Sequence, residues 1–309
     1  MKRSTFVQSS AALALAAGPR PAAAATAIKA GSVTIDPMGL AYYAKDQGFF
    51  DKAGLDVTIT TVGGAGMMAG VVGGALDLGI TDPLTIAGSY IHGVNFKMFA
   101  PSAIATPETR TDQLAVLNES PIKTGADLNG KTIGVVVLKT FQQAAVLGWV
   151  EKNGGDPKTI KLIEVPFPQM VAAVTAGRVD AVALTEPFLS GARDKIRGLG
   201  NLFSGIAPRL MFLAYFSSDT WLRANAATAA KFAAVIRDTA TWANSHQADS
   251  AKILTTVSGL PAAVASVMPR SAYGTAVTPA LVQPIIDAGA RYGVIERRVN
   301  AADIIWNGA

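Results

Sequence analysis

The stretch ALDLGITDPLTIAG, residues 75–88, decides the fold, because RVDAVALTEPFLSG, residues 178–191, says the same thing again. Each copy runs Asp, a few apolar residues, Thr, an acid and Pro. Met67 to Asp77 and Met170 to Asp180 are equal in length, and the second copy has one extra residue before its acid–Pro pair. In physical terms each spells a helix, a tight turn, a short buried strand and the start of another helix. Any α/β protein reuses such units, so spacing alone leaves simple reuse open, and the elements on either side have to decide.

Upstream of the first copy, AIKAGSVTI (27–35) alternates as a strand and runs into Asp36-Pro37 and MGLAYYAKDQGFF. Asp before Pro is a helix-start signal, with Asp as N-cap and Pro at the first helical position, and Gly48 marks a stop. LDVTITTV (55–62) reads as a second strand, a Gly-rich helix follows, LGIT (78–81) is a third strand and Asp82-Pro83 opens the next helix. Strand and helix alternating three times is the rhythm of a parallel sheet covered on its faces.

The rhythm recurs after TDQLAVLNES. KTIGVVVL (131–138) is a nearly continuous apolar strand, and a helix is expected from about Thr140 to Asn153, with Thr140 and Gln143 in a capping-box pattern. TIKLIEV is the next strand, PQMVAAVTAG a helix, AVALT a strand, and Glu186-Pro187 is expected to open another helix. From MFLAYFSS onward the chain turns to amphipathic helices, AATAAKFAAVIRDTATWANS, ADSAKILTTVSG and TPALVQPIIDAGARYGVI. If TDQLAVLN and LMFLAYFSS are two crossing strands, they make a hinge and the last helices cap the first lobe.

Composition narrows the function. Half of the 309 residues are hydrophobic and 16% are charged, which suits helices packed closely on sheets. The first 25 residues have basic MKR, the short apolar run AALALAAG and small PAAAATA, and are expected to be a secretory signal peptide rather than an anchor. Without Lys2, Arg3 and Arg20, 24 basic residues face 22 acids, a net +2 instead of +5. No basic stripe or aromatic–basic interleaving points to nucleic acid. The absence of Cys removes disulfides, thiolate metal sites, thiol nucleophiles and a lipid-bearing Cys. His92 stands at an expected helix end and His246 in the polar NSHQAD connection, so no nucleophile triad or metal cluster is visible and no cofactor is expected.

Four segments, GLAYYAKDQGFFDKAGLDVTI, AGMMAGVVGGALDLGITDP, MVAAVTAGRVDAVALTEP and VQPIIDAGARYGVIERRVNAADI, give the chain a resemblance to the solute-binding proteins of ABC importers for nitrate, sulfonates, taurine and pyrimidine precursors. The resemblance implies a type II periplasmic-binding-protein fold, with two α/β lobes joined by two crossover strands. It assigns residues 27–112 plus 218–309 to lobe 1 and 113–217 to lobe 2. It also implies a monomer in the periplasm that closes on a small solute and presents the closed form to an ABC permease in the inner membrane. An enzyme of the same fold, a sensor module, and a binder of a pyrimidine, flavin or aromatic carboxylate are the competing readings. The Cys-rich motif of relatives that make the thiamine pyrimidine is missing, as is the aromatic residue that ring-binding members carry after the first strand, where this chain has Asp36-Pro37-Met38.

In open α/β sheets ligands lie beyond the carboxyl ends of strands, at helix N-termini. That rule selects the loops Asp36–Gly39, Gly63–Gly66, Thr81–Pro83, Lys139–Phe141 and Thr185–Pro187, and Pro166–Gln169 is added as the lead-in to the second repeat helix. The candidate ligand residues are Asp36, Met38, Gly64, Thr81, Asp82, Lys139, Thr140, Phe141, Phe167 and Glu186. Asp36 and Asp82 have a competing role as helix caps, Glu186 as an exposed first-turn acid, Lys139 as a solvated strand-end cation, and Phe141 and Phe167 as core.

Overall fold

The computed structural model describes residues 24–308, so the expected signal peptide falls almost wholly outside the described residues. Strand β1 (Thr26–Ser32) leads through a 3-10 turn, Asp36–Met38, into helices α1 (Leu40–Asp46) and α2 (Phe49–Lys52). β2 (Leu55–Thr61), α3 (Gly64–Val72), β3 (Gly79–Thr81), α4 (Pro83–Ile91), β4 (Phe96–Pro101) and β5 (Ala103–Ala105) follow. A second group comprises β6 (Asp112–Leu117), β7 (Thr132–Val135), α5 (Phe141–Lys152), β8 (Lys161–Glu164), α6 (Phe167–Thr175), β9 (Ala181–Thr185) and β10 (Ile196–Asn201). The chain returns by β11 (Leu210–Met211) and β12 (Ala214–Ser218) to α7 (Asp219–Ala224), α8 (Ala226–Ser245), α9 (Gln247–Ser258) and α10 (Ala262–Ala265). It finishes with β13 (Ala272–Tyr273), α11 (Pro279–Arg291) and α12 (Ala301–Ile304).

The repeat seen in the sequence is a repeat of topology. The second sheet runs β8-β7-β9-β6-β10, with β7 parallel to β8 and β9, and β6 antiparallel to β9 and β10. In the first group β1 is parallel to β2 and meets the approach to β3 at a parallel Ala30–Leu78 bridge, while β12 runs antiparallel to β3 and β4. The order β2-β1-β3-β12-β4 therefore matches the second sheet position by position.

The two repeat aspartates do the same work. Asp77 accepts Lys29 N–H at 2.7 Å and donates its own N–H to Lys29 carbonyl at 2.8 Å. Asp180 accepts Thr132 N–H at 2.9 Å and donates to Thr132 carbonyl at 2.8 Å. Each ties the turn after its helix to the neighbouring strand, Asp77 to the middle of β1 and Asp180 to the first residue of β7, and satisfies backbone groups there. Met67 and Met170, at the head of the two copies, are both buried.

Local chemistry explains most boundaries. Gly48 takes φ 64°, a left-handed conformation open to glycine, and ends α1. Pro83 at the first position of α4 loses no helical hydrogen bond, and Asp82 caps the helix. Helix α8 covers the expected amphipathic segment and turns Phe232 into the core, where it stacks on Phe50 at 5.4 Å. Burying an aromatic or aliphatic side chain of this kind contributes about 1.5–3 kcal/mol.

Two expected helix starts and one expected cap differ, while α5 itself starts after Thr140 and ends before Asn153 as expected. Asp36 does not cap a helix: the Asp36–Met38 turn follows Ile35, no side chain caps it, and α1 begins separately at Leu40. Thr140 and Gln143 form no capping box, because the Thr140 hydroxyl donates to Val137 carbonyl and Gln143 accepts Lys139 N–H. Glu186-Pro187, joined by a cis peptide bond, opens a turn and a short 3-10 segment, Ser190–Ala192, in place of a helix. In each case the side chain expected to cap has a different partner.

Candidate functional site

The carboxyl ends of β3 and β7 approach each other, and Asp82 joins them. Its Oδ1 accepts Leu84 N–H at 3.0 Å and Thr85 N–H at 3.1 Å, the expected cap of α4. The same oxygen accepts Phe141 N–H, the first of α5, at 3.2 Å. Oδ2 accepts the Thr85 hydroxyl at 2.5 Å. Burial raises the pKa of the Asp82 carboxyl, and these four donors pull it back. Helix α5 has no side-chain cap from its own segment, so a carboxylate from the other group fills that place.

Asp36 is fully buried. Its Oδ1 pairs with Arg270 Nη2 at 2.8 Å, and Oδ2 accepts Ser271 N–H at 2.5 Å. Arg270 Nη2 also donates to the Tyr43 hydroxyl at 2.9 Å and to the Ser250 hydroxyl at 3.0 Å. Arg270 Nε and Nη1 are buried without hydrogen-bond partners. The acid that the sequence offered as a cap or ligand contact is thus held in an ion pair that ties the end of β1 to the segment before β13.

Two more acids lie at the start of β6 and the end of β9. Asp112, which sequence reasoning did not single out, accepts the Thr185 hydroxyl at 2.6 Å and the Thr111 hydroxyl at 2.9 Å. Burial pushes its carboxyl up to about 6. Glu186 is 1% exposed, not a first-turn surface acid, and it accepts the N–H and hydroxyl of Ser190 at 3.0 and 2.8 Å. Burial pushes Glu186 up to about 7, with the nearby charge of Asp36 a minor addition. The only signal that pointed to Asp112 was its place at the head of a crossing strand; nothing local pointed to Arg270.

The remaining candidates fall into two sets. Gly63 and Gly64 open α3 with no side-chain cap, and a methyl group built at either would meet no atom within 4 Å. Met38 is half-buried and packs on the core, and Thr81 ends β3 in a buried position. Lys139 is exposed, takes φ 59° and pairs with no acid among the described residues. Phe141 stacks on Phe203 at 5.8 Å and packs on Phe212 at 5.5 Å, which makes it part of the core between α5 and the returning chain. Phe167 stacks on Phe188 at 5.4 Å, both half-buried, two residues along from Glu186.

Two cavities lie elsewhere. One of about 460 Å³ is lined by Leu117, Lys131 and Asp180, at the opposite ends of β7 and β9. The other, about 590 Å³, lies among Lys97, Asp219, Arg223 and Trp306. Among the described residues no three His, Asp or Glu side chains gather as a metal site, and no helix is long and apolar enough to cross a membrane.

A family model described as NMT1/THI5 like matches residues 38–250. The nitrate import ATP-binding protein NrtC of Synechocystis is 28% identical over 173 residues, 48% of this chain and 24% of that protein. The chain spans 18% and 63% of two further curated relatives, both described as putative binding proteins. Among solved structures, the alkanesulfonate-binding protein SsuA of Xanthomonas axonopodis bound to MOPS superposes with a TM-score of 0.76 at 20% identity, covering 92% of this chain and 99% of that one. The periplasmic nitrate-binding protein NrtA of Synechocystis gives 0.74 at 14% identity, covering 92% and 86%. These structures share the fold, a periplasmic-binding-protein architecture of mixed sheets flanked by helices.

Proposed function

The chain belongs to the NMT1/THI5-like family, and on that premise we propose that it is the solute-binding component of an ABC importer. It captures a small organic or oxyanion solute, a sulfonate, taurine, nitrate or similar, between two lobes in the periplasm and delivers it to an inner-membrane permease. The division put forward is 27–112 plus 218–309 for lobe 1 and 113–217 for lobe 2, with the return boundary better drawn near Leu210, because β11 and β12 pair with β5, β3 and β4. The observation that carries the reading is the Asp82–Phe141 hydrogen bond, which joins the strand ends of two topologically matched sheets.

A ligand that touches both lobes gains those contacts only in the closed state and shifts the population toward it. The open N-terminus of α3 at Gly64, the Thr81–Asp82 turn, Met38, the Lys139–Phe141 lead-in to α5, Phe167 and Glu186 are the groups proposed to meet it. Asp36, paired with Arg270, supports the end of β1 that leads to Met38. The test is small-angle scattering of the secreted form during a solute screen of nitrate, sulfonates, amino-sulfonates, carboxylates, pyrimidines and flavins. A stabilised, more compact particle with one class supports capture; a particle that stays the same size with every class refutes it. Glu186, pushed up to about 7, favours a second reading as an enzyme acid or base. Recovery of the bound solute unchanged removes that reading.

A further inference from the structure

A helix C-terminus carries partial negative charge and favours cations. Glu151 goes against that preference in the last turn of α5, beside Lys152, whose ammonium donates to Ser204 carbonyl at 2.7 Å. The Glu151 carboxylate is held from a distant segment instead. Arg291 Nη2, at the end of α11, donates to Oε1 at 2.8 Å, and the Tyr292 hydroxyl donates to Oε2 at 2.6 Å, so each oxygen has its own donor. The Arg291 guanidinium also lies over the Tyr292 ring, 5.4 Å from its centre, which keeps the two donors side by side.

In the division proposed above, Glu151 belongs to lobe 2 and Arg291 and Tyr292 to lobe 1. The other end of α5 is fastened to lobe 1 as well, through Phe141 N–H on Asp82. From Phe141 to Glu151 the helix rises about 15 Å, at about 1.5 Å per residue. One fastening leaves a helix free to swing about it, whereas two fix its direction, so lobe 2 turns on lobe 1 only when one of them lets go. They are unequal. Asp82 is buried and the same oxygen caps α4, whereas the side chains of Glu151 and Arg291 are 39% and 65% exposed. Water replaces the partners of such an ion pair at small cost, and salt screens it. The fastening at Glu151 is therefore the one that yields.

We infer that Glu151, clasped by Arg291 and Tyr292, is a salt-sensitive latch between the lobes: while it holds, lobe 2 keeps the arrangement seen here, and its release lets lobe 2 turn away from lobe 1. This rests on the two-lobe reading and adds the contact that sets its balance. A latch of this strength biases an equilibrium without locking it, which is what a protein that must both hold and release a solute requires.

The test uses the absence of Cys from the chain, which lets spin labels be placed at Asp56→Cys and Lys158→Cys alone. Both positions are exposed, on β2 and just before β8, the matching edge strands of the two sheets. Distances between the labels are measured by pulsed electron resonance in the otherwise wild-type protein, in Glu151→Gln and in Tyr292→Phe, at low salt and in 1 M NaCl. Glu151→Gln is expected to raise the share of longer distances about two- to fivefold at low salt, the factor that an exposed ion pair commands, and Tyr292→Phe to raise it less. Salt is expected to do the same to the wild-type latch and to add nothing in Glu151→Gln. Distances that coincide in all three proteins at both salt levels, or that shorten in the variants, overturn the latch. Thermal unfolding identifies a variant that has merely lost its fold, and the salt series on the wild-type latch then decides. The same labelled protein taken through the solute screen separates the two readings: distances that move with a solute but not with the variants sink the latch alone, and distances that move with neither sink the two-lobe reading with it.

Discussion

Asp82 and Phe141, 59 residues apart, meet through a 3.2 Å hydrogen bond in which a cap of one helix becomes the missing cap of another. The contact ties a local stability element to the junction between the two sheets. Asp82→Ala should lower stability by about 1 kcal/mol, the usual cost of a lost N-cap, whereas Asp82→Asn should stay near wild type. Urea unfolding measures both. Equal losses in the two variants would mean that charge, not capping geometry, sets the stability at this position.

The Asp36–Arg270 pair is buried on both sides, with side-chain exposures of 0% and 7%. Removing one partner leaves the other as an uncompensated buried charge, so Arg270→Met should cost about 3–5 kcal/mol. The double variant Asp36→Asn with Arg270→Met should be less damaged than the sum of the two single changes. Additive losses in denaturant titrations would show that the two side chains act independently.

The raised carboxyls predict a pH dependence with a definite sign. Glu186 moves from its ordinary 4.5 up to about 7 and Asp112 from 3.8 up to about 6, both through burial. The folded state therefore holds protons that the unfolded state releases, and stability falls as pH rises from about 4 to about 7. Their favourable contribution is complete below about pH 4 and gone once pH has passed the folded values. Glu186→Gln and Asp112→Asn should each flatten the slope of thermal stability between pH 5 and 7.5. A slope that survives both substitutions would place its origin in other groups.

Gly148 of α5 and Gly205 of the turn after β10 lie backbone to backbone, and a methyl group at Gly205 would overlap the Gly148 carbonyl. Gly205→Ala should destabilise by about 1–3 kcal/mol, the range for overpacking a close contact. Calorimetric unfolding would show it as a lowered Tm. An unchanged Tm would mean that α5 shifts away at little cost.

The repeat, the alternation of strand and helix and the span of α8 are legible along the chain, because they depend on periodic apolar residues and on Gly and Pro close together in it. So is the place of Asp82 at a helix start, since a cap and its N–H groups lie within three residues of each other. The partners of the acids come from the folded chain. Asp36 answers to Arg270, 234 positions later, and Asp82 reaches Phe141 across the junction of two sheets. Asp112 is buried between hydroxyls of Thr111 and Thr185, with no motif to announce it. A short motif records which groups stand nearby in the chain, but the role of a carboxylate depends on which donor the folded backbone brings within about 3 Å, and that distance is set by packing between segments far apart in sequence.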